Sequence, residues 1–265
     1  MNKDNVWIVT DLDGTLIDVE YNIKPAINTL NWLKDMGIPV IPCTSKTAAE
    51  VEKFRIDYQL TDPYIVENGS AIYGLNYDKL GISEVDLGRK HSEIKPFLDK
   101  LSHIIGYRLI AFEDLPTKEI RKLTGLSNQE ISLAVKRQWS VPFLNPCSDD
   151  MTRLTQVAND FNLTIVQGNR MSHLLDKSCS KGNAINRLKS ITKQSNIIVI
   201  GLGDSPNDRS LLEVADIPIV VPGFLGPNKC FIEDINACRF KLAPAPHSEG
   251  WAQAVKSVLK QTMFE

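Results

Sequence analysis

Apolar residues along this chain follow two rhythms. Continuous runs of three to six, VWIVT at 6–10, IPVIPC at 38–43 and YIV at 64–66, read as short strands buried on both faces. Between the first two, Pro25 opens a helical stretch in which Ala26, Ile27, Leu30 and Leu33 share one face, and Gly37 closes it. Prolines 39 and 42 count against the second run, because proline cannot donate to a sheet ladder. The same alternation returns late. Leu174–Asp176 closes a short strand, and a helix from Ser180 carries Ala184, Ile185, Leu188 and Ile191 on one face. NIIVIGLGD (196–204) reads as a buried strand ending in acid. A helix through Leu211 and Leu212, a strand at 217–221 and a last helix over 248–259 follow. Alternating strands and helices predict a parallel α/β sheet covered on both faces.

From about Leu80 to Met171 the rhythm is irregular. Short strands are predicted at Glu84–Leu87, Tyr107–Phe112 and Thr164–Gln167, and helices at Ser92–Leu101, Ser127–Gln138 and Met151–Phe161. The predicted organisation is a Rossmann-like core of residues 1–79 and 174–265, interrupted by an α+β insert at 80–173 with a four-stranded sheet and two main helices.

Composition narrows the class. The 265 residues are 43% hydrophobic and 23% charged, with a net charge of −2, as in an ordinary globular protein without a basic field for nucleic acid or an anionic membrane. No apolar run approaches the roughly eighteen residues of a membrane span, and the N-terminus has no secretory-leader pattern. Five cysteines without a C-x-x-C pair fit reduced thiols and a cytoplasmic setting.

Open α/β sheets bind ligands beyond the carboxyl ends of their strands. There stand Asp11 and Asp13 after the first strand, Thr44, Ser45 and Lys46 after the second, and Glu67, Asn68 and Gly69 after the third. Lys181 lies just inside the later helix, and Asp204, Asn207 and Asp208 follow NIIVIGLG. A carboxylate can attack phosphorus to give an aspartyl-phosphate. Carboxylates such as Asp11 and Asp204 suit Mg²⁺. A second acid, Asp13, can protonate a leaving alkoxide and later activate water. Thr44 can donate to a phosphate oxygen, and Lys181 can offset the acids. GLGDSP is not a dinucleotide fingerprint, since Pro206 stands where its last glycine belongs, and no P-loop pattern occurs.

DLDGTL (11–16), Thr44, Lys181 in SKGNAI and GDSPND (203–208) together resemble the four motifs of the haloacid dehalogenase-like phosphatases. The resemblance implies Asp11 as nucleophile, Asp13 as acid and base, and Mg²⁺ held by Asp11, Asp204 and the Asp13 carbonyl, with Asp208 and Asn207 supporting the metal shell. Only about ten residues separate Thr15 from the first helix, so the insert after the third strand matches the second cap type of that superfamily. CTSKTAAE (43–50), VENGSAIY (66–73), LTGLSNQEISLAVKRQWSVPF (123–143) and GNRMSHLLD (168–176) resemble mannosyl-3-phosphoglycerate and glucosyl-3-phosphoglycerate phosphatases. Trp139 departs from the tyrosine or phenylalanine expected there.

Such a substrate carries a carboxylate as well as a phosphate. Arg137, Arg170 and Lys46 are the cations expected to meet it, and Ser45, Glu67 and Asn68 complete the expected substrate contacts. Lys46, Glu67 and Asn68 have a second reading, as caps of a helix and a hairpin. His173, Cys43 and Trp251 read as packing residues. The competing functions are a phosphatase of another sugar phosphate such as a sucrose-phosphate, a sugar phosphotransferase, and a phosphate-binding protein without turnover.

Overall fold

β1 (Val6–Thr10) is buried at every position, as an apolar run in a two-faced parallel sheet must be. In this computed structural model, which describes residues 5–75, 84–168, 170–193 and 196–263, it is followed by α1 (Lys24–Met36), β2 (Val40–Pro42), α2 (Ala48–Tyr58), β3 (Tyr64–Val66), β4 (Ala71–Tyr73) and β5 (Glu84–Asp86). Then come α3 (His91–Ile105), α4 (Thr117–Thr124), α5 (Asn128–Ala134), β6 (Val141–Leu144), α6 (Ser148–Asp160), β7 (Leu163–Gln167) and β8 (Met171–Asp176). The chain continues through α7 (Lys181–Thr192), β9 (Ile198–Gly203), α8 (Arg209–Val214), β10 (Ile217–Val220), α9 (Ile232–Asn236), β11 (Lys241–Leu242) and α10 (His247–Met263). Two compact units result: Met1–Thr44, Asp62–Ile65 and Lys181–Glu265 form one, Ser45–Thr61 and Val66–Ser180 the other.

The first unit is built on a five-stranded parallel sheet in the order β11-β10-β9-β1-β2. Its prolines are accommodated without loss of a donor. The Pro39 carbonyl accepts from Ile8, and the N–H that reaches Thr10 comes from Cys43. α1 ends where the sequence predicts, with Gly37 in the left-handed conformation (φ 70°).

The second unit holds the antiparallel pair β4-β5 and the three-stranded antiparallel sheet β6-β8-β7. In the latter, α3 and α6 cover one face through Ile94, Leu98, Leu101, Leu154 and Ala158, packed on Val141, Phe143, Leu163 and Leu174. Four expectations are corrected here. Leu174–Asp176 is not a strand of the first unit but the end of β8, paired with β6 and β7, so the unit boundary falls at Ser180 and not at residue 173. Residues 45–61 and 66–75 also belong to this second unit; α2 joins it through the Thr47 hydroxyl, which donates to the Leu133 carbonyl (3.0 Å). Tyr107–Phe112 contributes one bridge, Ala111 to Phe143, before the chain curls into a 3₁₀ turn at Phe112–Asp114, so the sheet has three strands and not four. The helix predicted over 127–138 stops at Ala134. The predicted start of the insert, Leu80, lies outside the described residues.

α7 and α8 pack closely enough that a Cβ on Gly182 would lie 2.3 Å from the Ser210 carbonyl oxygen. Backbone cannot yield there, so Gly182→Ala is expected to destabilise the protein by about 1–3 kcal/mol. Chemical denaturation of the two proteins side by side measures it.

Candidate active site

β1 and β9 run in register with Thr10 opposite Leu202, and the Asp11 N–H donates to the Leu202 carbonyl (3.0 Å). Asp11 and Asp204 therefore leave the sheet at the same edge. Gly14 follows with φ +88°, and a Cβ there would lie 2.6 Å from the Asp204 carboxylate, so only glycine fits. The next residue, Thr15, donates its hydroxyl to Asp204 Oδ1 (2.8 Å). Strand end, glycine and threonine in sequence bring the first acidic loop against the last.

Asp208 organises that last loop. Its Oδ2 accepts from the N–H groups of Asp204 and Ser205 (3.0 Å each), closing the 3₁₀ turn Pro206–Asp208, in which the buried Asn207 accepts from the Ser205 hydroxyl. Its Oδ1 accepts from Lys181 Nζ at 2.5 Å, and the same Nζ donates to Asp11 Oδ1 at 2.7 Å. Lys181 opens α7 and is 1% exposed. Burial by itself drives a lysine toward neutrality, but the Asp11 and Asp208 carboxylates overrule it and hold the ammonium above the ordinary lysine range. Burial also raises the Asp11 carboxyl, against the pull of Lys181 and with the push of Asp208, to about 7.

Ligand oxygens of Asp11, Asp204 and Asp208 lie within 4.8 Å of one another. Three acids beside one ammonium, when all are ionised, leave an excess of two negative charges among hard oxygen donors. That donor set fits a Mg²⁺ ion. Asp13 lies in the same loop and pairs with Ile17 through a single bridge. Thr44 is buried directly after Cys43, its N–H on the Ile65 carbonyl; burial pushes the Cys43 thiol up, consistent with packing.

The remaining expected residues lie in the second unit, and most hold backbone. Glu67 is fully buried. Its carboxylate accepts from the N–H groups of Gln138 (2.9 Å), Trp139 (3.3 Å) and Ser140 (2.8 Å) and from the Ser140 hydroxyl (2.7 Å). It reaches them from a turn in which Glu67, Asn68 and Gly69 all have positive φ. The Glu67 carboxylate is thus spent on the backbone of residues 138–140. Arg137 lies past the end of α5, with Nη1 on the Ser45 carbonyl (2.6 Å) and Nε on that of Ala134 (3.1 Å). Lys46 pairs with Glu50 (3.4 Å), and the exposed Arg170 donates to Thr124 (3.1 Å). His173 is buried in β8, as a packing residue would be. Trp139 is buried, donates to the Tyr73 hydroxyl (3.2 Å) and carries Lys90 over its ring (3.6 Å). Sequence reasoning missed Thr15, whose hydroxyl has no signal beyond its place beside Gly14.

Two stability effects follow. With metal chelated, Asp11→Asn removes an acid the folded state prefers protonated. Its stability advantage over the wild type is absent below the unfolded value of 3.8, opens as pH rises toward about 7 and levels off above that; thermal melts in chelator across that range read it. Glu67→Gln sets an amide N–H₂ against N–H donors and is expected to cost about 3 kcal/mol, measured by urea denaturation.

A sequence profile of the haloacid dehalogenase-like hydrolase family matches residues 8–93 and 145–222. A glucosyl-3-phosphoglycerate/mannosyl-3-phosphoglycerate phosphatase of Persephonella marina is 33% identical over 96% of this chain and 97% of its own. Among solved structures, a subclass IIB sugar phosphatase of the haloacid dehalogenase superfamily, BT4131, is similar with TM-score 0.69 at 17% identity, covering 98% of this chain and 99% of that one. The sucrose-phosphatase of Synechocystis is similar with TM-score 0.64 at 16% identity, covering 97% of each. These two likenesses concern the fold.

Proposed function

The chain belongs to the haloacid dehalogenase-like hydrolase family and is a phosphatase, and we propose that it hydrolyses a glycosyl-3-phosphoglycerate, glucosyl or mannosyl, to the glycosylglycerate and phosphate, with Mg²⁺. The reading of the substrate is carried by the kinship with the Persephonella marina enzyme, which runs the length of both chains.

In the proposed reaction Asp11 is the nucleophile. Lys181 holds its Oδ1, which directs the other oxygen at phosphorus. The P–O bond to the glycerate breaks as the Asp11–phosphorus bond forms, and the Asp13 carboxylic acid gives its proton to the departing alkoxide. Asp13, now a carboxylate, takes a proton from water. That water attacks phosphorus, releases inorganic phosphate and returns Asp11. Mg²⁺ held by Asp11, Asp204 and the Asp13 carbonyl, with Asp208 and Asn207 behind them, would neutralise charge on the phosphoryl oxygens. Thr44 would donate to one of those oxygens. Keeping a cation at Asp11 also opposes the burial that otherwise protonates it. Arg137, Arg170 and Lys46, with Ser45 and Asn68, are proposed to meet the glycerate carboxylate and sugar, an anion that arginine grips in bidentate fashion.

The test is phosphate release from glucosyl- and mannosyl-3-phosphoglycerate beside glucose and sucrose phosphates, with and without Mg²⁺. The glycerate esters are expected to have the highest kcat/KM; if both are slower than the simple hexose phosphates, the substrate reading fails. Asp11→Asn is expected to reduce turnover to background while a phosphate mimic such as vanadate still binds.

A further inference from the structure

The loop that carries Asp11 and Asp13 is held from behind by one turn of helix. Trp251, fully buried, donates its indole N–H to the Thr10 hydroxyl (3.0 Å), and that hydroxyl donates to the Asp11 carbonyl (2.7 Å). Four residues earlier on the same helix face, His247 Nδ1 lies 2.8 Å from the Gly14 carbonyl oxygen. A carbonyl can only accept, so Nδ1 carries the proton. The backbone carbonyls before and after Leu12–Asp13 are thus both tied to the start of α10.

Packing alone does not require this arrangement. A buried indole needs an acceptor, and any carbonyl would serve. Here it meets a hydroxyl that is itself spent on the Asp11 carbonyl. His247 is 6% exposed and sits at φ +47°, a region side chains other than Asn, Asp and Gly enter rarely, and its N–H is fastened to the Pro222 carbonyl. Its ring packs against Phe224 in a T-shaped arrangement (centroids 4.9 Å apart). Constraint of this kind gathers where a backbone must be held in one geometry.

We infer that Thr10, Trp251 and His247 are positioning residues that set the peptide planes on either side of Asp13, and through them the geometry with which the Asp11 loop receives Mg²⁺. This rests on the proposed metal-dependent chemistry. The hydrogen bonds these side chains donate end on the Asp11 and Gly14 carbonyls or on Thr10, so their effect passes through the backbone.

The test is calorimetric titration of Mg²⁺ into the full-length protein at 25 °C, with steady-state kinetics alongside. Thr10→Val keeps the shape and removes the hydroxyl; Thr10→Ser restores it. His247→Ala removes the donor; His247→Asn replaces it with an amide N–H at the same branch position in a residue that tolerates positive φ. Thr10→Val and His247→Ala are each expected to weaken Mg²⁺ binding about three- to tenfold, the loss of one hydrogen bond. kcat should fall with it while KM for the phosphate ester moves less than about twofold. Thr10→Ser and His247→Asn should bind Mg²⁺ like the wild type. If Thr10→Val does not fold, the His247 pair carries the test. Lowered melting temperatures with unchanged Mg²⁺ affinity and kcat would mean that the three residues only stabilise the fold, and the inference falls. A wild type that neither binds Mg²⁺ nor releases phosphate overturns the underlying reading instead, before any variant is compared.

Discussion

A lysine ammonium sealed from water between two carboxylates is the interaction on which the rest of this molecule depends. Lys181 Nζ joins Asp11, from the end of β1, to Asp208, from the turn after β9. Burial works against the charge of Asp11 and of Lys181, and the charge of each opposes that effect on the other. Together they fix one another. Replacing the lysine would leave like charges facing each other without a counterion, and removing Asp208 would also release the N–H groups of Asp204 and Ser205. The arrangement still leaves excess negative charge at Asp11, Asp204 and Asp208, and that imbalance is the physical reason for expecting a divalent cation there.

The same imbalance sets stability against activity. The Asp11 carboxyl, raised to about 7 by burial, is held in a state the fold does not favour when it is charged, as the proposed role of nucleophile requires. The surrounding backbone compensates with many constraints: a glycine that no other residue can replace, a threonine on Asp204, and the helix-borne donors behind the loop. Such sites are stable because their neighbours over-determine them.

Much of the parallel core is legible in the sequence, since buried strands and amphipathic helices carry their own periods. Asp11, Lys181, Asp204 and Asp208 are legible as a set because each follows a strand or opens a helix, and the fold brings them together. What escaped the sequence has identifiable reasons. Leu174–Asp176 is an apolar strand in either sheet, and nothing local says which partners it takes. Glu67 looks like a strand-end ligand, but three successive positive-φ residues turn its carboxylate onto the 138–140 backbone. The period of 127–138 puts Arg137 on a helix, but that helix ends three residues before it, at Ala134. Trp251 falls inside the predicted last helix and His247 just before it, and only the three-dimensional approach of α10 to the first loop brings them to Gly14 and Thr10.

The central claim is that Asp11 accepts the phosphoryl group. Borohydride reduces an aspartyl-phosphate to homoserine, so a protein quenched during turnover can be reduced, digested and sequenced by mass spectrometry. Homoserine at position 11, dependent on substrate, is the predicted result; homoserine at position 13 or 204, or none under conditions of steady phosphate release, would contradict the account.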